Sequence, residues 1–353
     1  MRNFWCEIDI DAVEYNIKKV REKTDKRIMA VVKANGYGLG VENITQILDP
    51  MVDAFGVSNM EEALRVKSSK DILILYPAVD DNDIDKLREN FILTVDNEEL
   101  LDKLNKLEKP VRVHIYVDTG MNRFGVKPDR VDEFIKNIRD KYKNIKLEGI
   151  YSHLHNTADY KYTINQIEIF KSIAKRYSGE IESIHLLNTN GFHKYSGTVD
   201  FDNMVRLGNL IYGYNSREYG YKKIFSYKAA PIRVYNVNAG QFIGYGNSFK
   251  AKKDMRVGIL DLGFIDKFGC VLDIRKNVFY EIAKSIYHHI KYTSGITCSG
   301  RIVRILGKPN MNFTIIDMEG FKEDDVFNID LPSVIADSSI PKKYRKGDSY
   351  VSI

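Results

Sequence analysis

The sequence predicts an α/β protein: a (β/α)8 barrel followed by a mostly β C-terminal domain. Three observations lead there. Over the first two thirds, apolar runs of strand length alternate with segments of helical spacing. Beyond residue 222 that spacing fades, and strand-like runs are separated by Gly, Pro and Asn. The length of 353 residues holds a barrel of about 250 residues with roughly 100 to spare. The expected domains are therefore residues 1–222 and 223–353.

The barrel strands are expected at 27–32, 54–58, 72–76, 91–95, 111–117, 147–151, 183–187 and 204–211. These runs are continuous rather than alternating, which suits parallel strands covered on both faces. Helical spacing marks 12–23, 60–68, 98–107, 130–142 and 161–177. The first of these follows Asp11, a good N-cap, and sets Val13, Ile17 and Val20 on one stripe. In the last third, strands are expected at 231–237, 256–262, 301–306 and 313–317, with a short helix over 275–290.

Composition narrows the function classes. With 44% hydrophobic and 29% charged residues the chain is globular rather than disordered. A net charge of +5 makes no case for nucleic acid. Cys6, Cys270 and Cys298 lie far apart, which excludes a disulfide scaffold or a cysteine-rich zinc site. No apolar run reaches the ~18 residues of a membrane span. The opening Met1-Arg2-Asn3-Phe4-Trp5-Cys6-Glu7-Ile8-Asp9 puts acids where a signal peptide needs an apolar core, so the expected setting is cytoplasmic.

Barrel chemistry gathers at the C-terminal ends of the strands. The first strand ends in Lys33-Ala34-Asn35-Gly36-Tyr37-Gly38. A lysine emerging there is either desolvated and nucleophilic or merely reaches out to water. The fifth ends in Asp118-Thr119-Gly120-Met121-Asn122-Arg123, whose arginine would clamp a carboxylate or phenolate, or simply close a turn. The sixth ends in Ser152-His153-Leu154-His155. Two histidines two apart on a strand suit a metal pair, yet no other ligands converge in the sequence, so no metal is expected. Asn188-Thr189-Asn190-Gly191 and Arg206-Leu207-Gly208-Asn209 end the last two strands, where barrels commonly bind phosphate. No Walker A or GxGxxG pattern follows a strand. The basic stretches at 250–253 and 342–346 read as solvated faces.

Together these segments resemble the alanine racemase family, whose members join a barrel to a β domain and use pyridoxal phosphate (PLP). The likeness runs from Trp5-Cys6-Glu7-Ile8-Asp9-Ile10-Asp11-Ala12 through Ala30-Val31-Val32-Lys33-Ala34-Asn35-Gly36-Tyr37-Gly38 to Val117-Asp118-Thr119-Gly120-Met121-Asn122-Arg123-Phe124-Gly125. Gly149-Ile150-Tyr151-Ser152-His153, Asn188-Thr189, Val205-Arg206-Leu207-Gly208, Gly244-Tyr245-Gly246 and Gly263-Phe264-Ile265-Asp266 follow in the family's order. The resemblance implies that Lys33 carries PLP covalently. It implies that Tyr37, Thr189, Gly208 and Asn209 hold the phosphate, that Arg206 faces the pyridine nitrogen, and that His153 hydrogen-bonds Arg206 from behind. Arg123 and the Met311 amide would contact the substrate carboxylate. Tyr245 would be the second acid/base, delivered by the partner in a head-to-tail homodimer. The implied activity is racemisation of alanine for cell-wall synthesis. Serine, or a basic amino acid such as ornithine or lysine, is an alternative substrate, and PLP binding without catalysis is an alternative function.

The chain departs from the family at several places. Tyr116 stands where many members carry a lysine that becomes carbamylated and orients the arginine. Asn312 replaces an acid after Met311, and Phe264 lacks a hydroxyl usual at its position. Aligning Pro332 and Ile335 with a family motif puts Ile329 where members have a tyrosine that touches the phosphate.

Overall fold

The computed structural model describes residues 2–214, 216–270, 277–290 and 294–353. Its contacts divide it into two compact units. One is Asp11–Lys223; the other joins Met1–Ile10 to Ile224–Ser352.

The chain opens with strand β1 (Phe4–Asp9), which belongs to the second unit. The first unit contains eight parallel strands: β2 (Arg27–Val31), β3 (Ala54–Val57), β4 (Asp71–Ile74), β5 (Phe91–Val95), β6 (Val111–Tyr116), β7 (Ile145–Tyr151), β8 (Ser183–His185) and β9 (Met204–Leu207). From β2 to β8 each pairs with its neighbour in sequence, and β9 pairs with β2, with Met29 opposite Arg206. Between β8 and β9 the barrel is closed by the bridge Asn188–Arg206 and by Arg206 N–H donating to Leu187 O at 2.9 Å. All eight apolar runs became strands. The interior contains one layer of Met29, Ala54, Leu73, Ile92, Tyr116, Tyr151 and Met204, in which small Ala54 offsets two tyrosines.

The helices cover the outside. In Ile10–Arg21 the stripe Val13, Ile17 and Val20 is buried, as the spacing predicted. Four helices start on an Asn or Asp cap just beyond a barrel strand. Asn59, Asn97, Asp159 and Asn188 each accept a backbone N–H three residues on. Among the helices that were not foreseen are two of at least seven residues. Val41–Leu48 starts at Gly40 with no side-chain cap. Thr189–Tyr195 starts inside Asn-Thr-Asn-Gly, a composition that reads as loop.

The second unit corrects one boundary. Residues 1–10 were expected in the barrel, but β1 lies in a seven-stranded sheet. It pairs antiparallel with Phe225–Ala229 and parallel with Lys342–Lys346. Phe4, Trp5, Cys6 and Ile8 are all buried, so this strand needs cover on both sides, and periodicity alone does not name the partner. The stretch at 342–346 is accordingly a strand and not a solvated face. Tyr344 is buried and Arg345 pairs with Asp9. A second sheet of Pro231–Val237, Met255–Leu260 and Thr314–Asp317 covers a small core of Val237, Ile243, Ala251, Met255, Val257 and Leu306. The strand expected over 301–306 is only Arg301–Ile302. Of the helix expected over 275–290, Val278–Ile290 is formed, and residues 275 and 276 lie outside the described residues.

Candidate active site

Lys33 stands just past β2, at the C-terminal end of the barrel. The backbone after it turns left-handed for four residues: Ala34 (φ 54°), Asn35 (φ 55°), Gly36 (φ 62°) and Tyr37 (φ 53°). Such a conformation costs roughly 1–2 kcal/mol for each non-glycine residue, so surrounding bonds must hold it. Glu62 supplies them. Its Oε1 accepts the Asn35 N–H at 2.9 Å and its Oε2 the Ser58 N–H at 2.8 Å. The Asn35 side-chain oxygen accepts from Val41 N at 3.1 Å and from Arg65 Nη2 at 2.8 Å. The turn thereby sets both Lys33 and Tyr37 on one cavity of about 370 Å³.

That cavity is also lined by Tyr76, Arg123, His153 and Arg206, and no carboxylate is among its described lining residues. Burial depresses the Lys33 amine below its ordinary pKa; the Arg123 charge adds to this, and Glu62 opposes it. Tyr37 is pushed up to about 12 by burial, with Tyr214 adding to it. Its ring stacks on Tyr212 at 4.4 Å, and its hydroxyl lies so close to Gly208 that a Cβ there would clash. The Gly208 N–H donates to Thr189 Oγ1 at 3.3 Å. Tyr37, Thr189 and Gly208 therefore form one polar corner, with Asn209 on the same lining.

Arg206 is buried, yet it meets acceptors instead of a carboxylate. Its Nη1 donates to His185 Nδ1 at 2.6 Å and to His185 O at 2.9 Å; its Nη2 donates to Ser152 O at 2.5 Å and to Leu186 O at 3.3 Å. The guanidinium lies 5.0 Å from the centre of the Tyr151 ring. A guanidinium only donates, so His185 Nδ1 must be bare and its Nε2 protonated. That Nε2 then donates to His114 Nδ1 at 3.0 Å. The permanent charge of Arg206 thus sets the tautomers of two buried imidazoles. Burial holds both far below the usual histidine pKa, His114 down to about 3.

The resemblance implied that His153 takes the place behind Arg206, but His185 takes it. His153 lines the cavity instead, 3.4 Å from Asn188 Nδ2, and burial with Arg206 nearby pushes it down to about 3. His155 is more exposed, edge-on to Tyr162 at 4.9 Å, and lies on the lining of the same cavity.

Arg123 sits on a fixed loop. Asp118 Oδ1 accepts the N–H groups of Gly120 and Asn122 at 3.0 Å each, and its Oδ2 accepts Lys127 Nζ at 2.7 Å. Tyr116 is buried below it with its hydroxyl 3.8 Å from Met121 Sδ. Burial raises the Tyr116 phenol; the charges of Arg123 and Arg206 oppose that rise.

Tyr245 and Met311 belong to the other unit. Tyr245 is 76% exposed on a tight turn after Gly244. Gly244 packs beside Gly307, where the Gly307–Asn312 segment begins. Met311 is exposed and its carbonyl accepts the Ile265 N–H at 2.9 Å, so the family-like segments of this unit are neighbours. Ile329, aligned with a phosphate-touching tyrosine of the family, is a core residue of the seven-stranded sheet, opposite Tyr227.

The model of the alanine racemase N-terminal domain matches residues 8–216, and that of the alanine racemase C-terminal domain matches 224–335. The chain belongs to the alanine racemase family. The alanine racemase of Borreliella burgdorferi is 31% identical over 329 residues, which is 88% of this chain and 83% of that one. The alanine racemase of Fusobacterium nucleatum is 33% identical over 274 residues, 74% of this chain and 76% of its own. Among solved structures, the alanine racemase of Clostridium difficile matches with a TM-score of 0.84 at 20% identity, over 100% of this chain and 98% of that one. The alanine racemase of E. faecalis matches with a TM-score of 0.79 at 23% identity, over 98% of each chain. These structural matches speak for the fold. In this alanine racemase family member, sequence reasoning missed His185, His114 and Glu62. The two histidines sit inside apolar strand runs, and the only signal was an imidazole where every neighbour is apolar.

Proposed function

We propose that the protein is a PLP-dependent racemase that interconverts the enantiomers of alanine, with Lys33 and Tyr245 as its two acid/base groups. The observation that carries this reading is the barrel cavity, where a partly desolvated amine and two guanidinium groups share one lining that has no carboxylate among its described residues. Such a lining calls for anions, which suits a phosphate at one end and a substrate carboxylate at the other.

The residues fit PLP. Tyr37, Thr189, Gly208 and Asn209 would hold the phosphate, since the missing side chain at Gly208 lets the Tyr37 hydroxyl close on the backbone beside Thr189 and gathers these polar groups at one corner. Lys33 would carry the aldehyde carbon, and Arg206 would face the pyridine nitrogen with His153 beside the ring. When bound, PLP supplies a conjugated ring that stabilises negative charge at the substrate α-carbon. Arg206 donates a hydrogen bond to the ring nitrogen and keeps its proton, because no base near it is strong enough to take it.

Lys33 holds or accepts the α-proton on one face, aided by its depressed pKa, which enlarges the neutral fraction of the amine. Arg123 and the Met311 amide hold the carboxylate. Tyr245, exposed within its own chain, would be delivered by a second copy in a head-to-tail homodimer and act on the opposite face. One group removes the proton and the other returns one to the other side, which inverts the centre. Each positioned group contributes about 10²–10⁴-fold. The residue 223–353 domain serves here as the carrier of the second base. The setting is the cytoplasm, and the product would feed the cell wall; among the described residues no helix is long and apolar enough to cross a membrane. The missing carboxylate weighs against the basic substrates ornithine and lysine.

Chiral chromatography of the PLP-loaded protein with each pure L-amino acid tests the reaction. Alanine turnover is expected; inertness toward alanine with turnover of serine, lysine or ornithine overturns the alanine assignment. Borohydride reduction followed by peptide mapping should label Lys33, and a label on another lysine removes it from this role. Tyr245→Phe should slow proton removal from one enantiomer far more than from the other; equal, slight effects exclude Tyr245.

A further inference from the structure

Tyr76 stands at the rim of the same cavity, beyond the end of β4. Its backbone continues the strand pairing, with Leu75 N–H donating to Val57 O at 2.9 Å and Tyr76 N–H to Ser58 O at 3.0 Å. Pro77 follows and restricts Tyr76 to extended backbone. The ring therefore leaves a rigid strand end and stands 50% exposed on the cavity lining.

Its neighbour is Phe124, 39% exposed, with ring centres 6.4 Å apart. Phe124 is as firmly held. Gly125 N–H donates to Asp96 Oδ2 at 2.8 Å, and Gly125 (φ 112°) packs so close to Asp118 that a Cβ would lie 2.6 Å from its amide nitrogen. The Arg123 guanidinium lies 5.5 Å from the Phe124 ring centre, a cation–π arrangement that steers it along this wall. One end of the cavity is thus the polar corner of Tyr37, Thr189 and Gly208; the region around Arg123 is bounded by two aromatic rings.

We propose that Tyr76, backed by Phe124, sets the upper limit on substrate side-chain size, so that the site takes small neutral amino acids and rejects longer ones. This rests on the racemase reading above, in which Arg123 receives the carboxylate. A carboxylate on Arg123 places the α-carbon next to the wall on which Arg123 lies. A methyl group fits beside the Tyr76 ring, and a longer chain meets it. The ring sits on a strand end and is braced by a pinned loop, so it does not swing aside at low cost.

The test compares wild type, Tyr76→Ala and Tyr76→Phe, each loaded with PLP. The first readout is the ratio of kcat/KM for norvaline to that for alanine. Damage to Arg123 would affect both substrates alike and cancels in this ratio. Removing the ring should raise the ratio at least about tenfold, the discrimination expected for one or two methylenes in a pocket. Tyr76→Phe keeps the wall and should leave the ratio within about threefold. The second readout is calorimetric binding of propionate and pentanoate, which needs no turnover; Tyr76→Ala should shift their affinity ratio toward pentanoate by a similar factor. Unchanged ratios in Tyr76→Ala overturn the proposal, as does a shift of equal size in Tyr76→Phe. A wild type that turns over no amino acid, while the carboxylate ratio still shifts, rejects the racemase reading and leaves the wall standing.

Discussion

Arg206 illustrates how a single buried charge organises its neighbours. Without a carboxylate, it is satisfied by three carbonyls and one imidazole nitrogen, and so stays available to a ligand that needs a donor. A carboxylate partner would have neutralised it and changed what it offers. Gly208 matters at the same scale, since its missing side chain is what lets the Tyr37 hydroxyl approach the backbone. Gly208→Ala should displace that phenol and weaken PLP binding at least about tenfold, with little loss of fold, because the site lies at the cavity edge. Absorbance titration of the apoprotein with PLP reads this, and unchanged affinity would detach Tyr37 from the phosphate corner. Lys33, Arg123 and Arg206 were legible in sequence because each polar group stands at or just past an apolar run. His185 and His114 were not. Their rings bond to each other and to Arg206, which come from three different strands.

At the scale of elements, the left-handed turn after Lys33 is the costliest local structure in the barrel. Three non-glycine residues with positive φ persist because Glu62, the third residue of helix Met60–Arg65, bridges Asn35 and Ser58. Asn59 caps that helix and holds Glu62 N–H at 3.0 Å, so helix start and turn support each other. In Glu62→Gln one of the two backbone donors would face an NH2 group. This should cost about 1–3 kcal/mol in urea unfolding and lower PLP affinity as Lys33 and Tyr37 lose their placement. Full stability together with full affinity would show that the turn needs no such brace. The eight barrel strands were legible because each is a continuous apolar run. The partners of β1 were not, since a strand's pattern states which face is buried and not which strand lies beside it. The Val41–Leu48 helix was missed because its start is a glycine of φ 96° and no polar cap announces it.

For the molecule as a whole, the buried imidazoles couple stability to pH. His114, His153 and His185 all titrate well below 6.5 in the folded chain, chiefly through burial. The unfolded chain binds protons near 6.5 that the native state refuses. Their contribution is therefore complete above that value and is lost as pH falls below it. Each imidazole should steepen the loss by about 1.4 kcal/mol per pH unit. Urea midpoints measured at pH 7.5, 6.0 and 5.0 should fall progressively, above the range where most carboxylates titrate. A flat profile across that window would mean these histidines are reached by solvent.

The local content of the chain was set by sequence alone. Apolar runs without alternation called for covered parallel strands, their count called for a barrel, and the residues just past them supplied an amine, a guanidinium and small polar groups. Those are properties of short windows, and short windows carry them. Tertiary structure decided what distant windows do to one another: that β1 completes a sheet beginning at Phe225, that His185 and not His153 stands behind Arg206, and that Tyr76 and Phe124 meet beside Arg123. Hydrogen-bond direction and ring contact depend on distances of a few ångströms between segments tens of residues apart, and only the closed barrel brings them within that range.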